Sequence, residues 1–376
     1  QRCFKGHCRV SSVKMYRNSL LERMYSSVDP ERGTGASSSG QRRILGASTS
    51  QCAVLIGHRG LKMNHQPDEA IRENTVRSLI ECHRAGATYA EFDIQVTADG
   101  VPVLWHDDQV VTTNGDREVF HEVSELSLQA FRTLTSGCPV EFEGRVHQLV
   151  RNPRFECQKN TQSTRPLPWT CKGDASGMSA TLQEAFEQAP PELGFNIELK
   201  FDSKRVSSAV ERAFHLSSTL RVVKAYASGR PMLFSSFDVD ACLEVRGLQE
   251  EHPVFMLTCM EKEHPDPRRR SLHAAVVVAL AFGLDGIVAD NSHLFKELAQ
   301  VERLRNAGLP LFSYGPANCN SVLVSMQIAA GVSGIITDDI GICVNTISIL
   351  DGFTTQEARK IESSEPVEEW TEYPAV

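Results

Sequence analysis

Short apolar runs alternate with amphipathic runs of helical period along residues 53–345. Apolar runs of about four to eight residues bounded by turn formers predict strands, whereas apolar positions repeating every three or four residues predict helices. Strands are predicted at 53–57, 194–199, 231–235, 253–257, 285–289, 309–313 and 333–337, with a strand, turn and strand at 90–108. Helices are predicted at 73–85, 181–186, 204–215, 239–248, 274–284, 296–307 and 321–330. Eight strand units, all but the last followed by a predicted helix, favour an α/β fold of the (β/α)8 TIM-barrel type; a doubly wound open sheet is the alternative.

The stretch 90–108, AEFDIQVTADGVPVLWHDD, carries acidic side chains on one face of its first strand. Because side chains alternate along a strand, Glu91 and Asp93 point to one side, while Phe92 and Ile94 point to the other. Residues 97–100 read as a tight turn, after which a second short strand ends at His106. The turn is expected to fold His106 back towards the two carboxylates.

Charged residues also follow other predicted strands. His58 and Arg59 come directly after the first strand, and Glu198 and Lys200 end the strand at 194–199 with a two-residue period. The functional groups of a (β/α)8 barrel lie at the carboxyl ends of its strands and in the loops that follow. The pattern therefore predicts one cluster at the mouth of the barrel.

Three carboxylates in this cluster, from Glu91, Asp93 and Glu198, are enough to hold one hard divalent cation. Oxygen ligands suit Mg²⁺ or Ca²⁺ better than Zn²⁺, which prefers nitrogen and sulfur. The alternative is that the acids form a solvated rim without a metal.

The basic side chains complete a set that can break a phosphodiester. Arg59 and Lys200 supply fixed positive charge for a phosphate. His58 and His106 can exchange protons near neutral pH, one with the attacking oxygen and one with the leaving oxygen. The residues alone do not indicate which histidine is the acid and which the base.

In this order and spacing, five motifs resemble those of the glycerophosphodiester phosphodiesterase family: GHRG at 57–60, REN at 72–74, EFDIQVTADGVPVLWHDD at 91–108, NIELK at 196–200 and GIITDD at 334–339. Three segments, GFNIELKFD at 194–202, LFSSFDVDAC at 233–242 and FSYGPAN at 312–318, are most similar to the soluble eukaryotic, plant-like branch of that family. The resemblance implies a TIM barrel that hydrolyses glycerophosphodiesters, such as glycerophosphocholine and glycerophosphoethanolamine, to sn-glycerol 3-phosphate and an alcohol, using Mg²⁺ or Ca²⁺. It further implies that Glu91, Asp93 and Glu198 are the metal ligands, His58 and His106 the acid/base pair, and Arg59 and Lys200 the phosphate contacts.

Two positions depart from the family pattern. Arg72 stands where proline is common, and Ser313-Tyr314 stands where Trp-Thr is frequent. Both departures bear on the shape of the alcohol pocket. Three alternatives stay open: a lysophospholipase D-like activity, a cyclising phosphodiesterase, and a catalytically silent barrel that binds phosphodiesters.

Composition and charge set the domain boundaries and the partners. Residues 1–51 are basic and rich in Ser and Gly, which predicts a disordered segment or a presequence. The barrel domain is predicted at 52–345, with a long irregular insertion at about 109–178, and a tail at 346–376. The chain carries a net charge of −8 and residues 1–50 carry +6, which leaves −14 for the remainder.

An acidic body argues against nucleic acid and anionic membranes as partners and favours a small-molecule substrate. The longest apolar run, at 274–284, is far shorter than the roughly 20 residues that span a bilayer. The eleven cysteines lack CxxC spacing, which is typical of reduced thiols in an intracellular protein; Cys157 and Cys171 are the one pair worth checking. The cytoplasm is the expected compartment, with a plastid or another organelle as the alternative. Oligomeric state has no signal in the sequence.

Overall fold

The structure is a computed structural model that describes residues 53–61, 71–115, 117–151, 167–168, 179–201 and 205–351. The basic N-terminal segment, the Cys157/Cys171 pair and the chain beyond 351 lie outside the described residues. The cysteines within the described residues are free thiols, namely Cys82, Cys138, Cys242, Cys259, Cys319 and Cys343.

The strands and helices alternate through most of the described chain. The strands are β1 (Val54–Gly57), β2 (Tyr89–Val96), β3 (Pro102–Leu104), β4 (Gln109–Asn114), β5 (Arg117–Glu122), β6 (Val140–Phe142), β7 (Arg145–Arg151), β8 (Leu167–Pro168), β9 (Gly194–Leu199), β10 (Met232–Ser236), β11 (Val254–Thr258), β12 (Gly286–Asp290), β13 (Leu311–Tyr314) and β14 (Gly334–Thr337). The helices are α1 (Val76–Arg84), α2 (Leu128–Leu134), α3 (Leu182–Gln188), α4 (Ala209–Tyr226), α5 (Val239–Leu248), α6 (Leu272–Phe282), α7 (Asn291–Leu294), α8 (Leu298–Asn306), α9 (Ser321–Ala330) and α10 (Ile340–Asp351).

Eight parallel strands close into a barrel in the order β1-β2-β9-β10-β11-β12-β13-β14, and β14 pairs with β1 again. The predicted (β/α)8 barrel is therefore confirmed, and the open-sheet alternative is wrong. The short strand β3 adds to β2 in antiparallel orientation. All eight barrel strands end at the same mouth, because parallel strands share one direction.

Alternation along β2 and β9 separates their polar side chains from the apolar layer under the helices, while inward-facing residues of the other barrel strands, such as Ile56, Phe255 and Phe312, form an apolar cluster of their own. Phe92, Ile94, Phe195 and Ile197 have no exposed surface and belong to the main core between barrel and helices. Burying a side chain of this size contributes roughly 1.5 to 3 kcal/mol. The intervening residues of β2 and β9 consequently face the barrel axis, as predicted for Glu91.

The prediction that the insertion at about 109–178 is irregular is wrong. Its described residues form an antiparallel sheet in the order β5-β4-β7-β6, and α2 packs on that sheet. The hairpin between β4 and β5 turns at Gly115, and that between β6 and β7 turns at Gly144; both glycines have positive φ. The strand at Gln109–Asn114 mixes Val with Thr, so its β-branched pattern was present, although the polar residues around it obscured the strand signal.

Predicted helix boundaries agree best where side chains cap the ends. The predicted capping box of α3 is present, since Thr181 and Glu184 bond each other's backbone N–H groups. Helices α5 and α9 have the predicted bounds. Helix α4 starts later than predicted because Ser208 caps it, and it continues to Tyr226. Helix α10 reaches Asp351, past the predicted boundary at 345.

Among the described helices, none is both long enough and apolar enough to cross a bilayer.

Candidate active site

Three buried carboxylates meet where β2 and β9 run side by side. The register pairs Glu91 with Asn196 and Asp93 with Glu198, so the acidic side chains of two neighbouring strands face the same interior. One oxygen from each of Glu91, Asp93 and Glu198 lies within 4.8 Å of the other two. The structure thus brings together the three residues that the sequence predicted as metal ligands.

The free oxygens of this cluster fit a divalent cation. Glu91 Oε1, Asp93 Oδ1 and Glu198 Oε1 are buried and accept no hydrogen bond. Lys200 Nζ is nearby, 3.5 Å from Asp93 Oδ1 and 3.1 Å from Glu198 Oε1, but without hydrogen-bond geometry. Buried charges of one sign are costly unless a counter-charge accompanies them, and converging oxygens are the donors that Mg²⁺ and Ca²⁺ prefer.

The three acids differ in their protonation tendencies. Burial, together with the charges of Asp93 and Glu198, raises the pKa of Glu91 well above its ordinary value. Burial also raises the pKa of Glu198, although Lys200 opposes the rise. Burial acts in the same direction on Asp93, but Lys200, Arg59 and a hydrogen bond from Asn74 outweigh it and lower the pKa of Asp93. Without a cation, ionisation of Glu91 and Glu198 is therefore opposed, whereas ionisation of Asp93 is favoured.

Arg59 is held deep in the site by acids on several sides. Its Nη1 lies 2.8 Å from Glu73 Oε1, and its Nε lies 3.7 Å from Asp93 Oδ2. Its backbone adopts a positive φ of 51°, which costs about 1 kcal/mol or more in a residue with a side chain. This conformation lets the Arg59 N–H donate to Glu91 Oε2 at 2.8 Å. Although burial lowers the pKa of Arg59, the charges of Glu73 and Asp93 raise it to a net increase.

Close backbone contacts explain why a glycine lies on each side of His58-Arg59. A Cβ at Gly57 would lie 2.6 Å from the carbonyl oxygen of Gly60. Gly60 itself has a φ of 73° and packs against the Ser78 backbone, which a Cβ would approach to 2.7 Å. The GHRG motif therefore forms a turn that aims both functional side chains into the mouth.

Each predicted catalytic histidine contacts an acid through Nδ1. His58 Nδ1 lies 2.5 Å from Asp338 Oδ1, and its Nε2 lies 4.0 Å from Glu91 Oε2. His106 Nδ1 lies 2.9 Å from Asp107 Oδ1. In both rings the acid occupies Nδ1, so Nε2 is the nitrogen directed elsewhere.

The loop carrying His106 is anchored to the acid-bearing strand. The Trp105 N–H donates to the Asp93 carbonyl at 3.0 Å. The Gln95 amide donates to the carbonyls of Trp105 and Asp107 at 3.1 and 2.7 Å. His106 lines a small pocket with Glu73, Asn74 and Asp107. The turn thus brings His106 to the same mouth as Asp93.

Four residues of the site had no assigned role in the sequence analysis: Glu73, Asn74, Asp107 and Asp338. Asn74 donates its amide to Asp93 Oδ2 at 2.8 Å and accepts from the Asp93 N–H at 3.1 Å. Glu73 pairs with Arg59, Asp107 with His106, and Asp338 with His58. All four lie inside the recognised REN, HDD and TDD motifs, which was the available signal.

Arg72, which departs from the family pattern, ties the insertion to this loop. Its Nη1 donates to the Thr135 carbonyl at 2.6 Å, its Nη2 donates to Ser179 Oγ at 3.2 Å, and its guanidinium lies 5.4 Å from the Trp105 ring centroid. The residue next to it, Glu73, holds Arg59. Arg72 therefore connects the sheet β5-β4-β7-β6 and its helix α2 to the acids of the mouth.

Comparisons with known proteins give a consistent match. The profile of the glycerophosphoryl diester phosphodiesterase family matches residues 58–342. The chain is 36% identical over 319 residues to glycerophosphodiester phosphodiesterase GDPD2 of Arabidopsis thaliana, covering 83% of this chain and 80% of that protein. It is 34% identical to the chloroplastic glycerophosphodiester phosphodiesterase GDPD1 of the same plant, covering 76% and 78%. The fold is shared with an Oleispira antarctica phosphodiesterase solved with its product sn-glycerol 3-phosphate, at 19% identity and a TM-score of 0.54, covering 78% and 96%.

Proposed function

This chain belongs to the glycerophosphoryl diester phosphodiesterase family, and from this premise we propose that it hydrolyses glycerophosphodiesters with the help of one divalent cation, Mg²⁺ or Ca²⁺. The products are sn-glycerol 3-phosphate and an alcohol, and the proposed substrates include glycerophosphocholine and glycerophosphoethanolamine. The observation that carries the proposal is the buried triad of Glu91, Asp93 and Glu198 at the mouth, flanked by two histidines that each contact an acid.

The triad would hold the cation through its three converging oxygens. A divalent cation at such a site stabilises the charge that develops on the phosphoryl oxygens in the transition state. Lys200 stays close enough to Glu198 and Asp93 to balance part of their charge. Two carboxylates alone would bind the cation more weakly, so substitution of the third, Glu198, tests whether the triad holds a cation.

His58 and His106 are proposed as the acid/base pair. Asp338 accepts from Nδ1–H of His58, which fixes the ring and leaves Nε2 to exchange a proton with an oxygen of the substrate. Asp107 has the equivalent relation to His106. Productive turnover needs one ring neutral and the other protonated, because one oxygen gains a proton while the other loses one.

Arg59 and Lys200 are proposed as phosphate contacts. Both are charged at neutral pH, since nearby carboxylates raise their pKa values despite burial. A phosphate beside the triad would share these cations with Glu73, Asp93 and Glu198. Their role is therefore to place the diester next to the cation site rather than to exchange protons.

The experiment is a product assay on the purified chain. Diesters with choline, ethanolamine and glycerol headgroups are incubated with Mg²⁺, with Ca²⁺ and with EDTA, and free sn-glycerol 3-phosphate is measured enzymatically. Release that depends on either cation supports the proposal. No release from any of the three diesters would overturn it. Release of a cyclic phosphate alone would favour the cyclising alternative, and binding without turnover would favour the silent barrel.

The proposed compartment is the cytoplasm. A fusion of residues 1–51 to a fluorescent protein is expected to stay in the cytoplasm of plant cells. Accumulation in plastids or another organelle would assign these residues the presequence role instead.

A further inference from the structure

Aromatic and basic side chains form a second wall at the ends of β10, β11 and β13, which begins next to the acid-bearing strand β9 and reaches the opposite side of the mouth. Barrel strand β13 lies four strands away from β9, so the two are on opposite sides of the barrel. Phe237 directly follows β10, Cys259 follows β11, and Tyr314 ends β13. The Phe237 and Tyr314 rings meet edge to face with centroids 5.9 Å apart.

Arg269 lies on this wall. Its guanidinium carbon is 4.8 Å from the Phe237 ring centroid, and its Nη2 is 3.6 Å from Cys259 Sγ. The short 3-10 turn Pro267–Arg269 presents it, and Thr258 Oγ1 donates to the Arg269 carbonyl at 2.9 Å. This hydrogen bond fixes the Arg269 backbone at the end of β11, from which its side chain extends to Phe237 and Cys259.

Arg269 differs in its partners from most of the other buried or partly buried arginines. Arg230, which also has no carboxylate within 4.0 Å among the described residues, donates instead to four backbone carbonyls. Arg59, Arg212, Arg246 and Arg268 each pair with at least one carboxylate. Within the described part of the chain, no carboxylate oxygen lies within 4.0 Å of the Arg269 guanidinium, and its buried Nε donates no hydrogen bond. Thiol sulfur is a weak acceptor. A partly buried guanidinium with several unused donors is costly unless an anion satisfies it.

Tyr314 connects the charges of the two walls. Burial raises the pKa of Tyr314 well above its ordinary value, the charges of Asp290, Cys259 and Glu198 add to the rise, and Arg269 opposes it. The phenol therefore lies within electrostatic range of both Glu198 and Arg269. A ligand that reaches from the triad past Tyr314 comes into the field of Arg269.

We propose that Arg269 binds an anionic group of the substrate through its planar fork. This inference rests on the proposed function and deepens it by assigning a further anion contact at the ends of β10 and β11. Two groups share the required chemistry: the phosphate of the diester, and a second anionic group on its alcohol, such as a carboxylate. Guanidinium groups bind both in bidentate geometry.

The test compares three diesters whose alcohols differ in charge: glycerophosphocholine, glycerophosphoglycerol and glycerophosphoserine. The wild-type chain, Arg269→Gln and Arg270→Gln are assayed for kcat and KM. Arg270→Gln is the matched control, because Arg270 is exposed and lies in the same loop, and its substitution removes the same charge. Gln keeps a planar group over Phe237, and Arg269→Met serves as a second variant if Arg269→Gln does not fold.

Loss of charge-assisted hydrogen bonds predicts a decrease of about 10-fold or more in kcat/KM for Arg269→Gln, chiefly through KM. An equal decrease on all three diesters identifies the diester phosphate as the bound anion. A decrease confined to glycerophosphoserine identifies the anionic group of the alcohol. Folded Arg269 variants that match Arg270→Gln on every substrate would overturn the inference and leave the proposed function intact. A wild-type chain that cleaves none of the diesters would instead contradict the proposed function.

Discussion

Replacing one acid of the triad should change the stability of the chain in opposite directions with and without a divalent cation. In Glu198→Gln, the side chain keeps its size but loses its charge. The closest oxygens of Glu91, Asp93 and Glu198 lie within 4.8 Å of one another. At a pH high enough to ionise all three acids, two like charges at that separation repel by about 3.5 kcal/mol at an effective dielectric constant of about 20, so Glu198 then experiences about 7 kcal/mol of repulsion from its two neighbours.

The attraction between Glu198 and Lys200 offsets most of this repulsion. At the observed 3.1 Å it amounts to about 5 kcal/mol on the same scale. The substitution therefore raises the free energy of unfolding of the metal-free chain by about 2 kcal/mol, or roughly 4 °C in melting temperature. Adding Mg²⁺ or Ca²⁺ at about 100 times its Kd raises the free energy of unfolding of the wild-type chain by about 2.7 kcal/mol. The variant binds the cation more weakly and gains much less, so the wild type becomes the more stable of the two.

The pH dependence has a definite sign. Burial raises the pKa of Glu198 in the folded chain, so the folded chain keeps a proton that the unfolded chain releases. The free energy of unfolding of the metal-free wild type then falls as pH rises from the unfolded pKa, about 4.3, through the folded pKa. The stability advantage of Glu198→Gln is consequently absent below about pH 4 and grows as pH rises.

Thermal melts after dialysis against EDTA, then with added Mg²⁺ or Ca²⁺, measure both effects. Glu251→Gln is the matched control, because the Glu251 side chain is 79% exposed, and it should match the wild type in both conditions. A Glu198→Gln chain that is less stable than the wild type in EDTA at a pH where all three acids are ionised would contradict this prediction, as would an equal response of both chains to metal.

Three further predictions concern catalysis, the N-terminal segment and acid stability. His58→Ala and His106→Ala should each lower kcat by about 100-fold or more, and each should abolish one limb of a bell-shaped pH profile; a diester with a very acidic leaving group should rescue only the variant that lacks the acid. Deleting residues 1–50 should leave kcat/KM on glycerophosphocholine unchanged, and lysophosphatidylcholine vesicles should be poorer substrates; loss of activity or a preference for vesicles would contradict a soluble substrate. Burial lowers the pKa of His215 to about 4, so below about pH 6.5 the unfolded chain binds a proton at His215 that the folded chain does not bind. The free energy of unfolding should therefore fall by about 3 kcal/mol as the pH drops from about 6.5 to about 4. Denaturant melts of His215→Gln should lack this pH-dependent part, and a variant with the same pH slope as the wild type would contradict the prediction.

The barrel could be predicted because its strands carry one repeated pattern, short and apolar with polar residues at the carboxyl end. Strand β9 has the bounds expected for GFNIEL, since every residue of it is buried, Gly194 begins it and Lys200 follows it. The insertion could not be predicted in the same way. Its small core includes Val103 of β3 and Trp105, which lie before it in sequence, so the β-branched residues of β4 were too short and too polar a signal to indicate the sheet.

The triad could be predicted from the two-residue period and the shared mouth, but its neighbours could not. His58 and Asp338 are 280 residues apart in sequence and meet only because β14 closes on β1. Arg59 was predicted as a phosphate contact, yet its pairing with Glu73 required the positions of both loops. No sequence pattern indicated a role for Arg269, because its lack of a carboxylate partner among the described residues depends on which other segments surround it.

Metal-dependent hydrolysis is best followed by the ³¹P NMR spectrum of glycerophosphocholine after incubation with the purified chain in H₂¹⁸O, with Mg²⁺ or Ca²⁺ and with EDTA. With cation, we expect the diester signal to be replaced by that of sn-glycerol 3-phosphate carrying ¹⁸O, and choline to be released. With EDTA, the diester signal should remain. Phosphocholine and glycerol as products, or conversion that is equally fast in EDTA, would contradict metal-dependent hydrolysis at this site.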